Sequence, residues 1–481
     1  MVKIHLGWTY PHVNAYLPAH PSEKRGAGRL GSVPGRPCAV VADRARQDDQ
    51  ERLRGAAVAK SSFSRVDPHP DFLSKRPTGT NATIRMRKVM TWRRGGLLAG
   101  TVLLLGAACT TTTEAERQQP PAGPSKTSAG TPFGPLVAGM PGYPSPGNVY
   151  AGVGPNLLAE PVRGDKALVY VPNTKSNDVS VIDPKTYRVV DTFPGGPEPQ
   201  HVVPSYDLRT LYVASSKIPD GGLVPIDPRT GKPGAFRKLE DVYNLYFTPD
   251  GRQAIVVAEA YQRLDFYDLA NWQRVRSVRF PECKGVNHMD YSADGKVMMF
   301  SCEFANRMLV LDTVSLRKLR EFTLTETADG MPQDTRLTPD GQHFLVADMH
   351  ANGVYVFDAG ATRQTAFIPT GKGAHGIYFS RDGKLGYVTN RDAGSITVLD
   401  LATLKPTTTW KIPGGGSPDM GGLSADGTAL WLSGRYHNEV YVLRTSDGKL
   451  LARIPVGSGP HGLTVWPQPG RYSLGHTANI R

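Results

Sequence analysis

Residues 385–400 read LGYVTNRDAGSITVLD, which is an apolar strand, a short polar turn and a second strand that ends in Asp400. Seven such segments follow one another, the last with Arg444 in place of the final Asp, and their final positions lie 44, 41, 44, 46, 42 and 44 residues apart. A strand repeat with a period in the low forties is typical of β-propeller blades. The seven segments are residues 168–183, 211–227, 254–268, 297–312, 344–358, 385–400 and 430–444.

A Ser/Thr-x-Asp-Gly tetrapeptide precedes five of these segments. Asp is a good turn former and Gly tolerates positive φ, so each tetrapeptide predicts the hairpin between the first and second strands of a blade. Residues 205–208 are a degenerate copy with Leu208 in place of the glycine. The five complete copies are residues 248–251, 292–295, 338–341, 380–383 and 424–427.

The inner strand that is missing at the start of the array is present at its end. Residues 460–466, PHGLTVW, match residues 374–380, AHGIYFS, in position and character. A C-terminal strand that completes the first blade would close the ring and leave no open sheet edge. We therefore expect an all-β fold over residues 151–481: a seven-bladed β-propeller of four-stranded antiparallel blades, closed by this strand.

The tetrapeptide at 387–390, YVTN, is the one that names the YVTN β-propeller repeat family, and residues 170–173 and 212–215 are diverged copies. The sequence resembles this family from about residue 150 onward. The resemblance implies a seven-bladed propeller, usually bacterial or archaeal and outside the cytoplasm. Its superfamily resembles the haem d1 domain of nitrite reductase and includes lactonase-like enzymes. Because propellers host many unrelated activities, the fold alone assigns none of them.

Residues 86–108 have the composition of a secretory signal peptide. Four basic residues precede an uncharged segment, 97–108, that is too short to span a bilayer comfortably. Cys109 follows two alanines directly, which resembles a lipoprotein signal in which the cysteine is lipidated. Ordinary cleavage nearby and an uncleaved anchor remain alternatives.

The segments on either side of this signal have compositions that favour disorder. Residues 1–85 have no helix or strand period, and we expect them to be disordered and to lie upstream of the true start at Met86 or Met90. A genuine cytoplasmic extension is the alternative. Residues 109–150 are rich in Thr, Pro and Gly and predict a flexible tether.

The net charge of +13 belongs mostly to the leader. Residues 1–85 contribute +7 and residues 86–108 contribute +4, which leaves +2 for the rest of the chain. A strongly basic domain would suggest a nucleic-acid partner. The sequence predicts none here. It predicts an exported protein, lipid-anchored at the outer face of the cytoplasmic membrane or otherwise secreted.

Cys283 precedes the inner strand of one blade and Cys302 ends the second strand of the same blade, so both should lie at the same face of the ring. In an exported protein this favours a disulfide over two free thiols.

Polar residues recur where each inner strand begins, five positions before the turn. Such positions meet at one end of the central channel, where propellers commonly bind ligands. The first of these positions are Gln200, Tyr243, Asn287, Gln333, His375, Asp419 and His461.

The next positions and the loops after the second strands complete the set of candidates. The alternative is that these side chains only satisfy backbone groups and hold water. The ligand-binding candidates are His201, His288, Glu303, Asp334, His375, Arg391, Asp419, Arg435 and His461.

Four of the candidates are histidines, which suit zinc and copper. Alternation along a strand predicts that His375 and His461 point away from His201 and His288, so the four should not converge. No metal site and no cofactor are therefore predicted, although a histidine pair with Asp334 or Asp419 stays open to metal or haem. The absence of a Cys-x-x-Cys-His motif excludes covalent c-type haem.

No catalytic motif stands out in the sequence. The sequence predicts a binding or scaffold module at the cell envelope, with an unknown small molecule, glycan or protein as its partner. The alternative is an extracytoplasmic enzyme or cofactor-binding propeller, lactonase-like or haem d1-like, that uses the same funnel.

Overall fold

The computed structural model describes residues 133–477 and 479–481. Within them, 29 strands form seven antiparallel sheets, and two short 3-10 helices, Ala151–Val153 and Glu160–Val162, precede the first strand. The expectations for residues 1–85, for the signal at 86–108 and for lipidation of Cys109 lie outside the described residues. No helix in the described part of the chain has the length and apolar character to cross a bilayer.

Each sheet is one blade that runs from an inner strand at the central channel to an outer strand at the surface. In chain order the strands are β1 Leu168–Asn173, β2 Asp178–Asp183 and β3 Arg188–Pro194 (blade 1); β4 Pro199–Pro204, β5 Leu211–Ser215, β6 Gly222–Asp227, β7 Lys232–Pro233 and β8 Arg237–Lys238 (blade 2); β9 Asn244–Phe247, β10 Gln253–Ala258, β11 Arg263–Asp268 and β12 Arg274–Arg279 (blade 3); β13 Val286–Tyr291, β14 Val297–Cys302, β15 Arg307–Asp312 and β16 Lys318–Thr323 (blade 4); β17 Pro332–Leu337, β18 His343–Asp348, β19 Gly353–Asp358 and β20 Gln364–Pro369 (blade 5); β21 Ala374–Phe379, β22 Leu385–Asn390, β23 Ser395–Asp400 and β24 Lys405–Lys411 (blade 6); β25 Pro418–Leu423, β26 Ala429–Gly434, β27 Glu439–Arg444 and β28 Leu450–Pro455 (blade 7); and β29 Thr464–Trp466, which returns to blade 1.

Ring closure occurs as the sequence predicts. Strand β29 pairs antiparallel with β1, with Leu168 opposite Trp466 and Val169 opposite Val465. The buried Trp466 indole donates a hydrogen bond to Asp165 Oδ2 at 2.8 Å. The predicted seven-bladed, four-stranded architecture is confirmed, and blade 2 carries β8 as an additional short strand paired to β6.

The Ser/Thr-x-Asp-Gly tetrapeptides form the inner hairpins. In blade 4, Ser292 Oγ donates to Asp294 Oδ1 at 2.8 Å, the same carboxylate oxygen accepts from the Lys296 backbone N–H, and Gly295 has φ 74°. In the degenerate copy Leu208 takes φ 63° without glycine's freedom. These turns share one face of the ring, which we call the turn face.

Residues 133–158 lie across the turn face. The backbone N–H groups of Val137 and Val149 donate to carbonyls in the turns of blades 4 and 5, at 2.8 and 2.7 Å. Met140 and Val149 are buried. The sequence predicts a flexible tether up to residue 150, but residues 133–150 pack against the ring because these few apolar side chains find a surface there.

Residues 467–477 and 479–481 also close the turn face. Backbone bridges join Leu158 to Gly470 and Tyr246 to Gly475, so this segment enters the channel from the turn face. Gly475 has φ 105°, and a Cβ there would lie 2.3 Å from the Tyr246 Cα, so this close approach needs a glycine. The channel is therefore reached from the opposite face, which we call the open face.

Cys283 and Cys302 form a disulfide within blade 4, with their Cα atoms 4.8 Å apart. Both cysteines are buried, and Glu303 follows the second cysteine directly. The bond therefore holds the end of β14 at the open face.

Candidate functional site

The inner strands lose regular alternation near their starts. The pairing of β13 with β14 shifts register between Val286 and Met289, and that of β21 with β22 shifts between Ala374 and Ile377. Strands β4, β17 and β25 shift at equivalent places. A bulge of this kind frees two successive side chains from opposite faces, so both can face the channel.

The four predicted histidines consequently converge. The ring centroids of His201 and His461 are 4.7 Å apart, those of His201 and His288 are 5.3 Å apart, and those of His375 and His461 are 6.0 Å apart. The prediction that alternation keeps the two pairs apart is wrong, because it assumes a regular strand where the strands bulge.

A cavity of about 220 Å³ lies at the open face on the channel axis. We call it the mouth cavity. It contains five of the predicted candidates, whereas Asp419 lies behind its wall and His201, His288 and Asp334 lie deeper. Its lining residues are Gln200, Tyr243, Glu259, Glu303, Phe304, Gln333, His375, Arg391, Arg435 and His461.

One part of the cavity wall is acidic. Asn287 Nδ2 donates to Glu259 Oε1 at 3.3 Å and also to Glu303. Burial raises the pKa of Glu259 well above its usual value, and the nearby Glu303 carboxylate raises it further. Burial also raises the pKa of Glu303. The two carboxyl groups therefore titrate as one coupled pair, in which burial and mutual repulsion favour a protonated Glu259.

A second part of the wall contains a buried ion pair. Arg391 Nε donates to Asp419 Oδ1 at 3.0 Å, and His375 Nδ1 lies 3.1 Å from the same oxygen. His461 Nε2 lies 3.6 Å from Asp419 Oδ2. Burial raises the pKa of Asp419, and the Arg391 charge opposes that shift. We call Arg391, His375, Asp419 and His461 the upper cluster.

Arg435 lines the cavity without a carboxylate partner. Its Nη1 donates to Thr174 Oγ1 at 2.9 Å and to the Gly459 carbonyl at 3.2 Å. No carboxylate of the described residues lies within 4.0 Å of its guanidinium. Burial lowers the pKa of Arg435. The group is therefore a partly desolvated cation that faces the cavity.

Beneath the cavity lies a second cluster, which we call the deep cluster: His201, His288, Asp334 and His476. His476 Nε2 lies 3.3 Å from Asp334 Oδ1, and all four side chains are buried. Burial lowers the pKa of each of its three histidines well below the usual value, so their rings are neutral.

His476 belongs to a segment that sequence reasoning did not consider. It follows the closing strand, outside every repeat, so counting from the turns cannot find it. The deep cluster and the upper cluster each bring two histidines and one aspartate together with one ligand atom per residue within 4.8 Å of the others. Such sets can hold a metal ion.

Comparison with known proteins identifies the fold family. A family model described as YNCE-like beta-propeller matches residues 164–469. The chain belongs to this YNCE-like family. The predicted resemblance to repeat propellers of this kind is thereby confirmed.

The individual relatives are distant from this YNCE-like chain. Hydrazine synthase subunit beta from Kuenenia stuttgartiensis is 24% identical over 222 residues, which are 35% of this chain and 58% of that protein, so less than two thirds of the relative is matched. A functionally unknown protein from Desulfotomaculum acetoxidans DSM 771 has a TM-score of 0.53 at 18% identity, over 62% of this chain and 99% of that one. Dihydro-heme d1 dehydrogenase NirN in complex with DHE has a TM-score of 0.47 at 17% identity, over 72% and 83%. These structural likenesses concern the fold.

Proposed function

We propose that this propeller is a binding protein that holds a small anionic molecule in its mouth cavity. Arg435 is the observation that carries the proposal. Its hydrogen-bond partners, Thr174 and Gly459, are neutral, so its charge is left for a ligand. A guanidinium presents parallel donors that match a carboxylate or phosphate group.

The rest of the cavity limits the ligand further. A volume of about 220 Å³ is below the roughly 300–1,000 Å³ of pockets for drug-sized ligands. The coupled carboxyl pair Glu259 and Glu303 offers acceptors to hydroxyl or amino groups. Phe304 and Tyr436, 58% and 55% exposed, provide aromatic surface near the entrance. The expected ligand is a small acid that also carries hydrogen-bond donors.

Binding by a panel of small molecules tests the proposal. Purified protein is screened by thermal shift against carboxylates, phosphates, sulfonates, amino acids, sugars and lactones, and hits are titrated by calorimetry. Arg435→Met should weaken an anionic hit about 10- to 100-fold, because a hydrogen bond to a charged group contributes about 1.5–3 kcal/mol. Arg188→Met, on exposed outer strand β3, is the matched control and should bind normally.

Two results would refute the proposal. One is that no small anion stabilises the protein; the other is that Arg435→Met binds the best anion as tightly as the unchanged protein does. If neutral sugars bind instead, and bind equally well to Arg435→Met, the cavity is a glycan-binding site.

A second candidate function is hydrolysis in the same cavity, and the Glu259–Glu303 pair favours it. A carboxyl group with a raised pKa is suited to general acid–base catalysis near neutral pH. This function would be supported if the unchanged protein hydrolyses a lactone and the Glu259→Gln variant binds the same lactone without hydrolysing it. A visible absorption spectrum of the purified protein tests the haem alternative.

We further propose that the protein is exported and lipid-anchored through Cys109. The signal-like segment 86–108 and the Cys283–Cys302 disulfide support an oxidising compartment. A gene that starts at Met86 should give the same membrane-bound product, and Cys109→Ser should release it. Dependence of export on residues 1–85 would contradict the proposed start.

A further inference from the structure

The deep cluster brings metal-ligating groups together from three separate parts of the chain. His288 lies on β13, Asp334 lies on β17 and His476 lies in the segment after β29. One ligand atom of each lies within 4.8 Å of the others, and none of the three side chains is more than 1% exposed. Three separate elements therefore bring metal-ligating groups into one small buried volume.

The facing atoms of these side chains lack hydrogen-bond partners. His288 Nε2, His476 Nε2 and Asp334 Oδ1 are buried and make no hydrogen bond within the described structure, although His476 Nε2 and Asp334 Oδ1 lie 3.3 Å apart. An unsatisfied buried polar atom is costly, and three that converge on one point require an explanation. A shared cation provides one, because it satisfies all three at once.

We propose that the channel of this propeller contains a first-row transition-metal site formed by His288, Asp334 and His476. Two imidazoles and one carboxylate suit Zn²⁺, Cu²⁺, Ni²⁺ or Fe²⁺, whereas Ca²⁺ and Mg²⁺ prefer oxygen ligands throughout.

His201 is placed to serve as a fourth ligand. Its ring centroid is 5.3 Å from that of His288 and 5.4 Å from that of His476, and neither of its ring nitrogens has a hydrogen-bond partner among the described residues. On its other side its ring is 5.2 Å from Tyr243, which lines the mouth cavity. An ion would therefore enter from the open face past His201.

Asn244 contacts two of the three proposed ligands. Its Nδ2 lies 3.1 Å from Nδ1 of both His288 and His476, and its Oδ1 accepts a hydrogen bond from the Leu245 backbone N–H at 2.9 Å. Ion binding at both Nε2 atoms would turn this amide over, so that its oxygen accepts both Nδ1–H groups and no longer accepts from Leu245. One amide thus orients two ligands.

The upper cluster is a weaker candidate for the ion. Arg391 already neutralises Asp419, with Nε 3.0 Å from Oδ1, and its guanidinium also contacts His375. A metal ion there would meet a fixed positive charge. The deep cluster also has a cation in its surroundings, because the Arg336 charge acts on Asp334.

Metal binding to the full chain tests the site without any small-molecule ligand, so the result is independent of the proposal for Arg435. Metal content is measured on purified protein, and chelator-treated protein is titrated with Zn²⁺ by calorimetry and with Co²⁺ by absorption. We expect one ion per chain and a rise in Tm on Zn²⁺ addition. Asp334→Asn should weaken binding by at least about 100-fold and Asn244→Leu by about 10- to 100-fold.

His350→Gln is the matched control, because His350 is an exposed histidine of the same ring. It should bind the ion normally. Cu²⁺-loaded protein should show nitrogen hyperfine splitting from at least two imidazoles. This spectrum decides the question on the unchanged chain if a substitution in the deep cluster prevents folding.

Three outcomes overturn the proposal. They are failure of chelator-treated protein to take up any of the four ions, normal binding by Asp334→Asn, and a Cu²⁺ spectrum without imidazole nitrogen. In the second case, loss of the ion in His375→Gln would place it in the upper cluster.

Discussion

Arg481 Nη2 donates a hydrogen bond to Asp290 Oδ1 at 2.6 Å, and both side chains are fully buried. The same carboxylate accepts hydrogen bonds from the Asn479 amide at 2.8 Å and from the Leu337 backbone N–H at 2.8 Å. The pair therefore joins the segment after β29 to the inner strands of blades 4 and 5. It closes the channel at the turn face.

We expect Asp290→Asn to lower the free energy of unfolding by about 3–5 kcal/mol, because it leaves the Arg481 charge buried without its partner. Urea unfolding measures the change. Arg444→Ala, which breaks an exposed ion pair with Asp447, should cost no more than about 1 kcal/mol. Equal losses in the two variants would mean that the buried pair adds nothing beyond a surface pair.

Trp466→Ala should destabilise the ring by about 3–5 kcal/mol, because it removes a fully buried side chain from the closing strand β29. The matched control is Trp410→Ala on outer strand β24, where the indole is only half-buried, and its loss should be smaller. Denaturant unfolding of both variants makes the comparison. A larger loss for Trp410 would show that the stability of the ring does not depend on closure at β29.

The stability of the protein should depend on the protonation of Asp241. Burial raises the pKa of Asp241 to about 6 from 3.8, although hydrogen bonds from the Tyr261 and Ala260 N–H groups oppose the shift. The folded state therefore binds the proton more tightly, so this contribution is present below about pH 4 and is lost as the pH rises through about 6.

Asp241→Asn removes this contribution while it tolerates the left-handed backbone at this position, φ 49°. Relative to the variant, the free energy of unfolding of the unchanged protein should fall by up to about 3 kcal/mol between pH 4 and 7, at about 1.4 kcal/mol per pKa unit. Unfolding by urea across this range tests the sign. A relative gain in stability with rising pH would contradict it.

Loss of the Cys283–Cys302 disulfide should cost about 3 kcal/mol, the entropy of a loop of this length in the unfolded chain. The double variant Cys283→Ala with Cys302→Ala is compared with the unchanged protein, with and without reductant. Reductant should lower the unfolding midpoint of the unchanged protein alone. Because Glu303 follows Cys302, the acidic wall of the mouth cavity should also lose its fixed position.

The sequence was sufficient to predict the blades and their closure, because turn and strand signals agree in each copy. Counting back from the turns also found residues that meet on the axis. His375 and His461, for example, occupy equivalent places in blades 6 and 1, on either side of blade 7, and both line the mouth cavity. The extent to which these side chains are buried was not predictable from the sequence, because it depends on how closely the seven inner strands approach one another.

Two features of the site depend on interactions that no repeat encodes. The bulges in the inner strands are departures from alternation, so the convergence of His201 with His461 could not be predicted from period-two patterning. His476 reaches the channel through a segment without repeats, and its partner Asn244 is 232 residues away. Pairing at such distance is set by packing of the whole ring.

Ring closure also sets how long β1 remains unpaired during synthesis of the chain. Strand β1 begins at Leu168 and its partner β29 ends at Trp466, so ribosomes that add about 5–20 residues per second need roughly 15 to 60 s to make the second after the first. Throughout that interval the nascent chain presents the unpaired edge of β1, which can pair with another copy. Correct folding should therefore benefit from conditions that keep nascent chains apart until β29 has been made.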